Sequence, residues 1–258
     1  MITSRHNPLV KRIRLAMHEH GEEIVIEGPK AVADALAAGW TPIAIVEEAS
    51  RLAARGLPTS DDDARSQLAG GGEPQAVSAE VFAAISDTRA AQGVLGLFER
   101  PRSDARTLLA RRDTIVVALD AVQDPGNVGT IVRLAAAFDA AGVILLPGCA
   151  DPFAPKAIRA SVGAILTVPV VAMTIDELLA ANLPLFAADG NGAPLAPPSR
   201  GAVLLFGNEG RGVSPALAGA ATPIAIATSG KVESLNVAAS AAILLARSFE
   251  ARQASLSL

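Results

Sequence analysis

The sequence predicts an α/β protein in two parts. A small α/β domain comes first, and a mostly parallel sheet with helices on both faces follows. Three observations carry this. After residue 103, short runs that are apolar at every position alternate with segments of helical periodicity, the pattern of strands buried on both faces and joined by helices. Between the halves, Glu99-Arg100-Pro101-Arg102-Ser103-Asp104 is polar, holds a proline and follows an apolar run, so it reads as a linker. The 258 residues are 50% hydrophobic and 19% charged, too apolar for disorder and long enough for one large domain or two modest ones. Aromatics are only 3%, so the core must rest on close helix–sheet packing rather than on large rings.

The domains are accordingly placed at 1–102 and 103–258. In the first, residues 7–20 have helical character, 24–26 read as a strand, and 29–38 as a helix with Pro29 in its first turn. A strand at 43–46 is followed by a surface excursion over 48–75, marked by Asp61-Asp62-Asp63 and Gly70-Gly71-Gly72. A short helix at 78–85 and a closing strand at 92–98 complete the domain. In the second, strands are expected at 114–119, 143–146, 168–171, 185–188, 202–206 and 223–226. Helices are expected at 127–141, 155–162, 175–181 and 234–250.

Composition narrows the function classes. The net charge of −4 argues against indiscriminate nucleic-acid binding, although residues 1–18 carry Arg5, Lys11, Arg12 and Arg14 and no acid. The first seventeen residues lack the apolar stretch of a signal peptide, and no run reaches the roughly 18 apolar residues of a membrane helix. One cysteine, Cys149, and three histidines offer no disulfide and little basis for a metal site, so no metal is expected. The expected compartment is the cytoplasm. Cys149 and the lone Trp40 are read as packing residues.

Ligands of such sheets sit beyond the carboxyl ends of the strands, where three loops stand out. The first contains Asp124-Pro125-Gly126-Asn127-Val128-Gly129, with Asn127 at an expected helix N-cap and Arg133 six residues on in an otherwise aliphatic helix. A guanidinium taken even partly out of water there requires an anion to meet it. The second, Gly207-Asn208-Glu209-Gly210-Arg211-Gly212, follows a buried strand with the spacing G-x-x-G-x-G, which is not the dinucleotide fingerprint G-x-G-x-x-G. Its glycines leave room for a ligand to contact backbone. The third is Gly230-Lys231-Val232-Glu233-Ser234-Leu235-Asn236, in which Ser234 or Asn236 can cap the last helix.

Together these loops resemble the signature motifs of the SpoU-like (TrmH-type) RNA ribose methyltransferases of the SPOUT class. The matching text is Asn127-x-Gly129-x-x-x-Arg133, then Gly207-Asn208-Glu209-Gly210-x-Gly212, then Glu233-Ser234-Leu235-Asn236-Val237. The first domain is similar, more loosely, to that family's L30-like substrate-binding domain, through Asn7-Pro8-x-x-Lys11, Ile26-Glu27-Gly28 and Gln92-Gly93-Val94. The chain departs from the family at Ile224-Ala225-Ile226, where Ile-Pro-Met is usual.

The resemblance implies a parallel-sheet α/β-knot (trefoil) domain, S-adenosyl-L-methionine as cofactor, RNA as substrate (rRNA before tRNA, with no DNA expected), and a homodimer. It implies that Gly207, Ile226 and Leu235 hold the cofactor, and that Asn127, Arg133, Glu209, Ser234 and Asn236 form the catalytic and site-shaping set. A ribose 2′-hydroxyl must lose its proton to attack a sulfonium methyl, and a guanidinium beside that oxygen stabilises the developing alkoxide. Guanidinium stays protonated, so stabilisation ranks ahead of base catalysis for Arg133. Two other readings remain: a non-catalytic RNA-binding protein of the same fold, which Arg133 and Asn236 together argue against, and a nicotinamide oxidoreductase, which the absent fingerprint argues against.

Overall fold

The computed structural model describes residues 1–18, 21–53, 73–87 and 92–256. Two compact units are present: Met1–Pro101 with Phe153–Pro155, and Arg102–Pro152 with Lys156–Leu258.

The first unit contains α1 (Pro8–His18), β1 (Glu23–Glu27), α2 (Pro29–Ala37), β2 (Pro42–Glu48), α3 (Ala49–Ala53), β3 (Gln75–Val77), α4 (Ala79–Ile85) and β4 (Val94–Glu99). Its sheet runs β1-β4-β2-β3, with β4 antiparallel to both neighbours and β3 parallel to β2. The amide oxygen of Asn7 accepts from Leu9 N–H at 2.8 Å and starts α1. Val10 and Ile13 of α1 then pack with Val25, Val46, Phe82, Leu95 and Leu97 in one apolar cluster. Most of the excursion expected at 48–75 lies outside the described residues; its two ends form α3 and β3. Trp40 is buried edge-on against Phe98, a packing role.

The basic character of α1 is partly neutralised. Arg12 makes a forked ion pair with Glu23, its Nε 2.8 Å from each carboxylate oxygen, and Arg5 pairs with Glu80 at 3.1 Å. Lys11 and Arg14 remain exposed on the same helix.

The second unit contains α5 (Ala105–Ala110), β5 (Val116–Asp120), α6 (Pro125–Ala137), β6 (Val143–Leu145), α7 (Pro155–Ser161), a 3-10 turn (Ala164–Leu166), β7 (Val170–Ala172), α8 (Ile175–Ala180), β8 (Leu185–Ala193), β9 (Val203–Gly207), α9 (Pro215–Ala218), β10 (Thr222–Ile224) and α10 (Val237–Leu256). All six strands are parallel, in the order β10-β8-β9-β5-β6-β7. The central strands β5, β6 and β9 are buried throughout, as their unbroken apolar runs require.

Several boundaries differ from the sequence reading for identifiable reasons. Asp104, placed in the linker, is the N-cap of α5 and accepts from Arg106 N–H and Thr107 N–H. Helix α6 begins at Pro125, with Asp124 rather than Asn127 as N-cap, because proline has no N–H to lose in a first turn. It ends at Ala137, beyond which Asp139 adopts φ +50°. Helix α10 begins three residues later than expected because Asn236, not Ser234, caps it. Strand β10 stops at Ile224, and Ala225 N–H then donates to Ala193 O at 2.9 Å. A proline at 225 could not make that bond, so the family's usual residue is replaced here by a backbone tether.

Candidate active site

The sheet order defines where a site belongs. From β5 the chain proceeds to β6 on one side, while β9 lies against β5 on the other, so β5 and β9 flank the topological switch point. Their last residues, Asp120 and Gly207, are register partners. The loops leaving both strands therefore meet at one place.

The first loop turns sharply. Ala121 has φ +54°, a left-handed backbone that alanine rarely adopts. Asp124 then caps α6, accepting from Gly126 N–H at 2.7 Å and from Lys156 Nζ at 2.8 Å. The lysine bond first, and the backbone bond second, hold the Asp124 carboxyl below the usual carboxylate range. With Asp124 as cap, the Asn127 side chain is released from capping. Gly129, one turn further along, lets the backbone of α7 approach closely: a Cβ there would lie 2.1 Å from Ala157 O.

The second loop folds back on itself. Asn208 and Gly212 exchange two backbone hydrogen bonds of 3.0 and 2.9 Å, and a Cβ on Gly207 would lie 2.2 Å from the Gly212 carbonyl carbon. The space a Cβ on Gly207 would need is filled by the chain's own backbone, so the absence of a side chain there is what lets the loop close. The Asn208 amide ties the loop inward: Oδ1 accepts from Gly210 and Arg211 N–H, and Nδ2 donates to Ala121 O at 2.9 Å. At the loop's far end, Ser214 N–H donates to Asp120 Oδ2 at 2.6 Å.

The third loop reaches the site through Asn236. Its Oδ1 accepts from Ala238 and Ala239 N–H at 2.9 and 3.2 Å, which starts α10. Its Nδ2 donates to Asn127 Oδ1 at 3.2 Å, and Asn127 Nδ2 donates to Glu209 Oε1 at 2.8 Å. One continuous run, Asn236–Asn127–Glu209, thus joins a residue from each of the three loops. Ile226 and Leu235 are half-buried on the segment leading to it, and Ser234 is exposed.

Arg133 does not join that run. It is exposed in the chain taken alone, contrary to the partly buried setting expected for it. Six residues after Asn127, it lies about 120° around the helix from it at 100° per residue. Cys149 donates its thiol to Leu119 O at 3.2 Å, and burial pushes its pKa up, consistent with packing. A cavity of about 630 Å³ lies at the opposite, amino ends of β6 and β7 and holds none of the motif residues. Among the described residues, no group of three or more His, Cys, Asp or Glu could hold a metal, and no helix is long and apolar enough to cross a membrane.

Asp120 and Asn208 were not singled out from sequence as site residues. The available signals were a carboxylate closing an otherwise apolar strand, and an amide between Gly207 and Glu209.

An all-parallel sheet with candidate loops gathered at its switch point, in a chain that also holds a separate α/β unit, defines the class: a two-unit α/β protein whose second unit is a parallel-sheet ligand-binding domain. Comparison with known proteins specifies it further. Residues 114–246 match the SpoU rRNA Methylase family and residues 7–96 match the MRM3-like substrate binding domain. The chain belongs to the SpoU rRNA methylase family, which sets aside the nicotinamide reading. It is 37% identical over 177 residues to the 23S rRNA (guanosine(2553)-2′-O)-methyltransferase RlmP of Bacillus subtilis, covering 66% of this chain and 69% of that protein. It is 30% identical to an uncharacterized tRNA/rRNA methyltransferase of Synechocystis, covering 98% and 93%. Among solved structures, an rRNA methyltransferase from Sinorhizobium meliloti superposes with a TM-score of 0.82 at 28% identity over 97% of both chains. A form of that protein with AdoMet bound matches equally well.

Proposed function

We propose that the chain is an S-adenosylmethionine-dependent RNA 2′-O-ribose methyltransferase acting on ribosomal RNA, with transfer RNA the second choice of substrate. The observation that carries this reading is the run Asn236–Asn127–Glu209, which links all three motif loops at the sheet's switch point. The activity for which the B. subtilis relative is named and the AdoMet-bound S. meliloti relative support the substrate class and the cofactor.

The third loop fits such a cofactor. Among the described residues, 226–235 make no hydrogen bond to other backbone groups, and apart from Gly230 N–H, which donates to Thr228 Oγ1 at 3.3 Å, their backbone could receive a nucleoside and an amino-acid moiety. Ile226 and Leu235 supply half-buried apolar surface beside them. Gly207 contributes indirectly, by letting the second loop fold. Bound there, the cofactor supplies a methyl group on a sulfonium.

The chain's own residues would then act on the ribose. Glu209 holds the Asn127 amide by its nitrogen, and Asn236 holds it by its oxygen, so Asn127 has one orientation in which to meet the substrate. Ser234 stands at the exposed rim, available to an incoming nucleotide. Arg133 would stabilise the 2′-alkoxide as its proton leaves and contact the adjacent phosphate, a task suited to a forked donor. Its exposure and its distance around α6 from Asn127 favour delivery to the site of a second copy, hence a homodimer.

The return of the chain from edge strand β10 to α10, beside α6, is the path on which the family's trefoil knot would be threaded. Residues 1–102 would select RNA, with Lys11 and Arg14 free for phosphate and Arg12 already engaged by Glu23. The expected location is the cytoplasm. The experiment is to map 2′-O-methyl sites in total RNA with and without the gene. Loss of one rRNA methyl group is expected; an unchanged map in every RNA would reject the reading.

A further inference from the structure

The proposed reaction depends on where Glu209 sits, yet Glu209 is exposed on a glycine-rich loop that contributes almost nothing to the core. Something else must hold it. Both ends of that loop are fastened to the end of β5, by Asp120, which lies outside the three motifs, and by Asn208, a motif residue to which the resemblance gave no role. At the entry, Asn208 Nδ2 donates to Ala121 O at 2.9 Å. At the exit, the Asp120 carboxylate accepts from Ser214 N–H at 2.6 Å.

Three features distinguish these fastenings from ordinary loop bonds. Asp120 is only 4% exposed, and a carboxylate so withdrawn from water is retained only where a donor compensates it. Its observed donor is a backbone N–H 94 residues away, at the far side of the loop that carries Glu209. Ala121 holds a left-handed backbone at φ +54°, which costs energy for a residue with a Cβ, and its carbonyl is the one that Asn208 binds. The Asn208 amide also gathers Gly210 and Arg211 N–H on its oxygen, so the two residues after Glu209 are anchored to the one before it. A loop held at both ends has few ways to move the residue between them.

We propose that Asp120 and Asn208 are positioning residues of this site: by fixing the exit and the entry of the glycine loop to the end of β5, they set the place where Glu209 meets Asn127. The proposal rests on the methyltransferase reading and adds two residues that never touch the reacting atoms.

The test is a double-mutant cycle on the full chain, read by single-turnover methyl transfer to ribosomal RNA at saturating RNA. Cofactor calorimetry and thermal unfolding accompany every variant. Asp120→Ala and Asn208→Ala should each lower the methyl-transfer rate by about tenfold, within the coupling range of residues that share a network. In a Glu209→Gln background the same substitutions should cost much less, because the group they position is already impaired. Asp120→Asn keeps an acceptor oxygen for Ser214 N–H and should restore most of the rate. Should Asp120→Ala fail to fold, Asp120→Asn and the Asn208 arm still complete the cycle. Fully additive effects, or losses that appear in unfolding temperature with no change in rate per folded molecule, would overturn the proposal while leaving the methyltransferase reading intact. Absence of methyl transfer by the unaltered chain would overturn both.

Discussion

Asn236 hydrogen-bonds Asn127 across 109 residues of sequence while its other amide atom starts the last helix. One side chain thereby ties the placement of α10 to the placement of the first motif. The two functions of that amide are separable. Asn236→Asp keeps the capping oxygen but removes the donor to Asn127, so unfolding temperature should hold while methyl transfer falls by about tenfold, the size of one lost hydrogen bond in a shared network. Asn236→Ala loses the cap as well and should cost about 1 kcal/mol of stability in addition. Chemical denaturation beside single-turnover kinetics distinguishes the two. Equal rates for Asn236→Asp and the unaltered chain would show that the amide serves α10 alone.

Arg133 carries the second prediction. Arg133→Ala should lower turnover by about 100-fold with cofactor affinity unchanged, and lysine should rescue poorly. If the guanidinium serves a second copy, mixing Arg133→Ala protein with Glu209→Gln protein should restore activity, because one site of the mixed dimer is then whole. Mixing assays that stay at the level of the separate variants would place Arg133 in its own chain's site or outside the chemistry.

Glycine substitutions provide a third test. Gly207→Ala would set a methyl group against Gly212 backbone and should destabilise by about 1–3 kcal/mol, an overpacking cost. Gly212 has open space around its missing Cβ but φ +69°, so Gly212→Ala should cost only about 1 kcal/mol. A reversed order in thermal denaturation would contradict the fold-back assigned to this loop.

Acid stability follows from Asp124. Its carboxyl is held low chiefly by Lys156 and then by Gly126 N–H, so its contribution is complete above the unfolded-state value and is lost as pH falls through the lower folded value. Asp124→Asn should therefore flatten the acid limb of a stability–pH curve while leaving neutral and basic limbs parallel to those of the unaltered chain. Identical acid limbs would mean the cap carries no linkage.

In the first unit, Lys11→Glu with Arg14→Glu should weaken RNA binding and reduce its salt dependence while sparing cofactor affinity, since phosphate contacts release counterions. Arg12→Glu should act instead on stability, by opposing Glu23. Filter-binding isotherms across a salt series would reveal the difference.

Much of this was legible in the one-dimensional pattern. Apolar runs such as Val116–Leu119 and Val203–Phe206 leave no polar face, so they can only be buried strands, and three loops stand out beyond them because Gly, Asn and Glu there have no packing reason to follow such runs. The Asp124-Pro125 pair also encodes the start of α6, since Asp is a good cap and proline suits the first turn, although Asn127 three residues on is an equally good cap by residue type.

By itself, the sequence determined the α/β class, the alternation of strands and helices, and the residues that could meet at a site, because local periodicity and side-chain type are written at each position. Only the tertiary structure decided which of them meet. Parallel pairing brings Asp120 beside Gly207, and the fold-back of Gly212 fills the space a Cβ on Gly207 would need. The fold also joins Asn236, Asn127 and Glu209, and leaves Arg133 facing outward. These are relationships between residues some 80 to 110 positions apart, set by strand order and loop closure, and no local pattern encodes which strands become neighbours.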